Sequence, residues 1–146
     1  MYMSKLKLAA SIVAIIFVVC IFAFIINRKE DIGEPITDNN FSLSVHEEWW
    51  VSNGEKETNG TNDEKYETIS KGDIIYKKME YKLIVDEIYA DRIILKQEGG
   101  LVPANEDGSL NAFVAAEDTY EVIAGEELIL RSYSLMTGIR IYLNLE

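Results

Sequence analysis

The sequence predicts an all-β domain, an antiparallel β-sandwich or small barrel of seven or eight short strands, preceded by one N-terminal transmembrane helix. Three observations carry this expectation. Leu8 to Ile26 is a run of nineteen residues without a charge. Beyond it, apolar and polar residues alternate in short stretches, and a period of two is the mark of a strand packed on one side. Turn residues separate these stretches, and no later segment keeps a 3.6-residue period over three turns.

The apolar run has the length of a membrane span. Nineteen helical residues extend roughly 28 Å, against about 30 Å for the hydrocarbon core of a bilayer. Lipid offers no partners to backbone groups, so such a run must bond within itself as a helix. A cleaved signal peptide has a shorter apolar region and a small-residue cleavage site. Here Ile25 and Ile26 lead straight into Asn27 and Arg28. A lipoprotein reading of Cys20 meets Val19 where a small residue is needed. The run therefore reads as an uncleaved signal anchor. Lys5 and Lys7 before it balance Arg28 and Lys29 behind it, and the N-terminal amine tips the orientation toward an inside N-terminus. The expected organisation is a cytoplasmic tail at 1–7, the anchor at 8–28, a linker at 29–40 and an extracytoplasmic β domain at 41–146. The protein is expected at the cell membrane as a single-pass chain.

Within the domain, Phe41 to Val45 alternates cleanly and runs on toward Trp49, Trp50 and Val51. Glu47 and Glu48 interrupt the alternation, which predicts a bulge or bend. Residues 53–67 are the most polar stretch, with two Asn-Gly pairs, and read as a mobile loop. Short strands follow at Ile74 to Lys78, Tyr81 to Val85 and Ile93 to Lys96, with a turn at Ala90-Asp91. Gly99-Gly100, Pro103 and Asp107-Gly108 punctuate a second loop. Further strands are expected at Leu110 to Ala115, Thr119 to Ile123 and Glu127 to Ser132, with room for a helical turn near Ala115-Ala116-Glu117. The last strand is the clearest, with Ile139, Ile141, Leu143 and Leu145 alternating against Arg140, Tyr142 and Asn144.

Charge narrows the partners. Residues 30–146 hold all 25 acidic residues and ten of the 14 basic ones, so this part carries a net charge of −15. Nucleic acid is disfavoured, because phosphate binding needs clustered cations. Solubility explains the acidity well, and a cationic partner fits it too. The one cysteine, Cys20, lies in the apolar run, so the outer domain has no disulfide or thiol chemistry.

The most informative pair is Trp49-Trp50 beside Glu47-Glu48. Neighbours in a strand face opposite sides, so one Trp can pack inward while the other faces out. An exposed Trp near acids can stack on a sugar or anchor a partner; the plainer alternative is that both are packed. Catalysis has less support. The only histidine, His46, shares a strand face with Ser42 and Ser44, without a nucleophile signature. Zinc would need further His or Cys ligands. Asn105-Glu-Asp107-Gly108-Ser109 echoes a calcium loop, but an EF-hand register would put Val114 at the final ligand position, so an Asp-Gly turn explains it better. Tyr120, Val122, Gly125 and Leu128 stand at the offsets that open a LysM peptidoglycan-binding motif, to which nine residues are similar. That motif then needs a helix, whereas Ile129-Leu130-Arg131 reads on as a strand, so the resemblance ends there.

The residues thus point to a membrane-anchored extracytoplasmic binding or accessory module of a bacterial cell envelope, acting by protein–protein contact. The alternatives are a carbohydrate or cell-wall binding domain using an exposed tryptophan, and a small hydrolase. No catalytic residue, metal or cofactor is expected. The expected partners are the membrane, through the N-terminal helix, and an unidentified protein.

Overall fold

In a computed structural model of the protein, residues 34–36, 41–134 and 136–146 are described. The expected tail, the anchor at 8–28 and most of the 29–40 linker lie outside the described residues. Those that are described form nine strands and no helix. They are β1 (Leu43–Ser52), β2 (Glu57–Tyr66), β3 (Ile74–Lys78), β4 (Tyr81–Ile88), β5 (Arg92–Glu98), β6 (Val102–Pro103), β7 (Thr119–Ile123), β8 (Glu127–Arg131) and β9 (Thr137–Leu145). Two sheets result, one in the order β2-β1-β9-β8-β6 and the other in the order β3-β4-β5-β7. Every pairing of neighbouring strands is antiparallel.

Alternation sets the faces. Leu43 and Val45 of β1, Leu130 of β8, and Ile139, Ile141, Leu143 and Leu145 of β9 are buried on the inner face of the first sheet. Leu83, Val85, Ile93, Leu95, Tyr120 and Val122 come from the second sheet and join them in one hydrophobic cluster. The expected alternation holds in β9 from end to end. In β4 it is interrupted by a register shift between Val85 and Glu87. The extra residue lets Val85 and Ile88, three apart, both be buried. A second shift between Ile74 and Tyr76 lets the adjacent Ile75 and Tyr76 both be buried. The Tyr120 hydroxyl is used twice: it donates to the Leu101 carbonyl at 2.8 Å and accepts from the Glu117 amide at 2.9 Å.

Four expectations need correction. The strand count is nine among the described residues, not seven or eight. Residues 53–67 are mostly strand, because β2 pairs with β1 over ten successive positions from Leu43↔Tyr66 to Ser52↔Glu57. Composition had argued against burial there, and β2 is indeed largely exposed, but an edge strand is held by its ladder and tolerates polar side chains. Residues 53–56 form the hairpin turn, with the Asn53 carboxamide accepting from the amides of Glu55 and Lys56 at 3.1 and 2.8 Å. Leu110 to Ala115 is not a strand; only Leu110 bridges, to Ala104. No helical turn forms at 115–117.

The edges of the two sheets are tied by Tyr66. Its hydroxyl lies 2.8 Å from Glu64 Oε2 and 3.0 Å from the Ile75 carbonyl, so its single proton serves an acceptor on β2 and one on β3. Burial, then Glu64, raises its pKa to about 12. The folded protein therefore holds this proton more tightly than the unfolded chain, where the phenol titrates near 10. The linked stability is fully present below pH 10 and is lost as pH rises toward 12. Alkaline unfolding followed by circular dichroism is expected to begin in that window. Tyr66→Phe should be less stable at neutral pH and show a shallower alkaline loss; an unchanged alkaline slope would exclude Tyr66 as a source of it.

Candidate functional site

The four singled-out residues of β1 divide between the two faces of the first sheet. No bulge occurs at Glu47-Glu48, because both ladders of β1 run through without a shift. The acids keep the strand's alternation, and Glu47 takes an inner position. It is 5% exposed and paired with Lys78 of β3. Lys78 also sits over the Trp49 ring, 5.5 Å from its centroid. Trp49 packs against the hydrophobic cluster, partly buried. The phenol of Tyr76 is buried nearby without a hydrogen-bond partner, and burial, then the Glu47 charge, push its pKa up. A cleft of about 290 Å³ opens here between β2 and β3, lined by Glu47, Asn62, Tyr66, Tyr76 and Lys78 among others.

Glu48 and Trp50 face outward. In the antiparallel register Glu48 lies opposite Arg140, and His46 opposite Tyr142. Glu48 Oε2 accepts from Arg140 Nη1 at 2.6 Å and from the Tyr142 hydroxyl at 3.2 Å. His46 Nδ1 lies 2.6 Å from Asp63 Oδ1, and its Nε2 lies 4.0 Å from Glu48 Oε1. One continuous polar array thus crosses β2, β1 and β9. Burial opposes the Arg140 charge, but Tyr142 and Glu48 outweigh it and leave the pKa raised.

Trp50 rests on a position without a side chain. It lies opposite Gly138 of β9, and a Cβ on Gly138 would stand 2.6 Å from the indole. Trp49 repeats the device on the other face, opposite Gly60 of β2, where a Cβ would also lie 2.6 Å from the ring. Each indole thus covers the backbone of a glycine on a neighbouring strand. Two guanidiniums flank the Trp50 ring, Arg131 at 5.1 Å and Arg140 at 5.9 Å from its centroid. Cations over an indole face are attracted by its quadrupole.

Beside them lies a cleft of about 580 Å³, lined by Glu48, Trp50, Arg131 and Arg140, with Ser52 and Asn59 also contributing. The Asp107-Gly108 turn holds Arg131, one of the cleft's lining residues. Gly108 donates to the Asn105 carbonyl at 2.7 Å, Asp107 Oδ1 accepts from the Ser109 amide at 2.9 Å, and the Gly108 carbonyl accepts from Arg131 Nη1 at 3.1 Å. Among the described residues no group of three or more His, Cys, Asp and Glu has an arrangement that could hold a metal ion.

The structure therefore brings Glu48 and Trp50 together on one face and Glu47 and Trp49 on the other. Arg131 and Arg140 were not singled out from the sequence. Alternation in the last strand puts Arg140 on its polar face, but only the pairing of the first and last strands brings it to Glu48. In comparison with known proteins, the chain matches no protein family, no curated protein and no solved structure.

Two substitutions test this geometry. Gly138→Ala drives its Cβ against the buried Ser132 hydroxyl and the Trp50 indole and is expected to cost about 1–3 kcal/mol, the usual penalty of overpacking, with a changed tryptophan emission. Denaturant unfolding without loss of stability would show that both the hydroxyl and the ring can give way. Lys78→Met strands the Glu47 carboxylate in the interior. Because Lys78 is itself half-exposed, the loss should be about 2 kcal/mol, below that of a fully buried pair. Adding Glu47→Gln should recover part of it; two additive losses would show that the pair is not coupled.

Proposed function

We propose that this protein is a membrane-anchored extracytoplasmic binding or accessory module, of the kind found in a bacterial cell envelope, acting by protein–protein contact. In this reading Leu8 to Ile26 is the single-pass anchor, and the two sheets form a sandwich whose first sheet presents its outer face to the partner. The observation that supports it best is the outer-face cleft, where a partly exposed Trp50 has the guanidiniums of Arg131 and Arg140 over its ring. Tryptophan and arginine are the residues that most often anchor protein interfaces, because each joins a large planar contact to directed hydrogen bonds. Catalysis has no comparable support from the array, which pairs its acids and bases with one another.

A second reading, glycan binding, draws on the same indole. A ring beside polar side chains such as Asn59 is a stacking platform for a sugar.

Site-specific photocrosslinking of the full chain in its membrane separates the two. A crosslinker at exposed Asn59, on the cleft, is expected to capture a discrete protein, and Trp50→Ala should abolish the adduct. The same crosslinker at Lys96, on the second sheet, is the control. Absence of any protein adduct from Asn59, together with a saturable change in tryptophan fluorescence on adding glycan fragments, would replace the first reading by the second.

A further inference from the structure

The outer-face cleft contains a cation that no carboxylate among the described residues neutralises. Arg131 is 5% exposed. Its Nε donates to the Ser132 carbonyl at 3.3 Å and its Nη1 to the Gly108 carbonyl at 3.1 Å. Both acceptors are neutral, and among the described residues no carboxylate pairs with it. Burial, and then the charge of Arg140, lower its pKa. A guanidinium starts so high that it stays charged at neutral pH regardless. Among the described residues, this buried positive charge thus has no carboxylate partner and lies beside a second cation, although acids outnumber bases 25 to 14 in the sequence.

The neighbouring acid does not resolve this. The Glu48 carboxylate is taken up by Arg140 and Tyr142. The fork of Arg140 is only partly used, since its Nε is buried without a hydrogen-bond partner. The Trp50 indole compensates Arg131 in part, but its ring is shared with Arg140.

We propose that the cleft is a carboxylate-binding site, in which Arg131 and Arg140 grip a carboxylate of a partner polypeptide and Trp50 carries the apolar stem next to it. This rests on reading the cleft as a protein-contact surface. Guanidiniums match a carboxylate with paired N–H donors, and such charge-assisted bonds are the strong ones. The net charge of the chain selects among anions. Glu48 and Glu57 also line the cleft, so a dianion such as phosphate meets more repulsion there than a singly charged carboxylate does. The ring beside the arginines favours a carboxylate carried on a hydrocarbon or peptide body over a free inorganic ion.

The test uses the full chain in detergent micelles, with Trp49→Phe so that Trp50 alone reports. Two pairs of short acetylated peptides are the probes: one carrying Glu or Gln with an amidated end, the other with a free or amidated C-terminus. Inorganic phosphate and glucuronate are titrated beside them. In at least one pair the acid should shift Trp50 emission saturably and bind about ten-fold or more tighter than its neutral partner, with acetate competing. Arg131→Gln should erase that difference, and Arg131→Lys, which keeps the charge but not the fork, should weaken it. Equal binding of acid and neutral peptides in both pairs overturns the proposal. So does tighter binding of phosphate, or response to glucuronate alone. If neither Arg131 variant folds, the acid-to-neutral comparison in the protein with native Arg131 decides by itself. A protein adduct at Asn59 with no acid preference would leave the interface standing and remove this inference; acid preference with no protein adduct would keep the carboxylate site and overturn a polypeptide as its occupant.

Discussion

The pairing of β1 with β9 is the interaction on which the rest depends. It joins residues 43–51 to residues 137–145 and puts both strands in the middle of the first sheet. Its register decides at once which side chains make the core and which make the cleft. Leu43, Val45, Ile139 and Ile141 go inward. On the other side His46 meets Tyr142, Glu48 meets Arg140, and Trp50 meets Gly138. A slip of one residue would exchange the two sets, placing the arginine in the core and the leucines in water. The burial of the β9 leucines and isoleucines makes such a slip prohibitive, so the hydrophobic core fixes the geometry of the polar face as well.

The same strand carries two different solutions to placing charge. On the inner side, Glu47 is kept among apolar side chains by one partly exposed lysine that also covers an indole. On the outer side, Glu48 belongs to an array of His46, Asp63, Arg140 and Tyr142 that remains in reach of water. Removing a group from the first leaves a buried charge, whereas the second can replace a lost partner by solvent. The inner pair therefore bears on stability, and the outer face has more freedom to vary with what it touches. Glycines opposite both tryptophans serve each side alike, because a flat ring can lie against a backbone only where no Cβ intervenes.

Much of this architecture was legible in the residues, and the gaps have physical causes. β9 was readable because each second residue is apolar and its whole inner row is buried. The strands β3, β4, β5, β7 and β8 followed from the same signal. β2 was not, because hydropathy reports burial and an edge strand need not be buried; its hydrogen bonds leave no mark in composition. Glu47 was mistaken for a break, since its lysine partner is 31 positions away in sequence. The division of Trp49 and Trp50 between two faces was foreseeable from strand geometry. The two arginines were not, because Arg140 and Glu48 are 92 positions apart and only the sheet register joins them.

A central strand formed by residues 137–145, far in sequence from its neighbour β1, also constrains the order of events in folding. Until residues 137–145 are available, β1 and β8 have no common neighbour, and the five-stranded sheet exists only as separate pieces. The β3-β4-β5 meander can form earlier from local contacts. Non-local pairing of this kind is slow, because the loop must close before any contact rewards it. A nascent or truncated chain would therefore expose the inner row of β1, with a half-made outer face on the reverse. The cleft, built from strands far apart in sequence, cannot exist before the domain is whole.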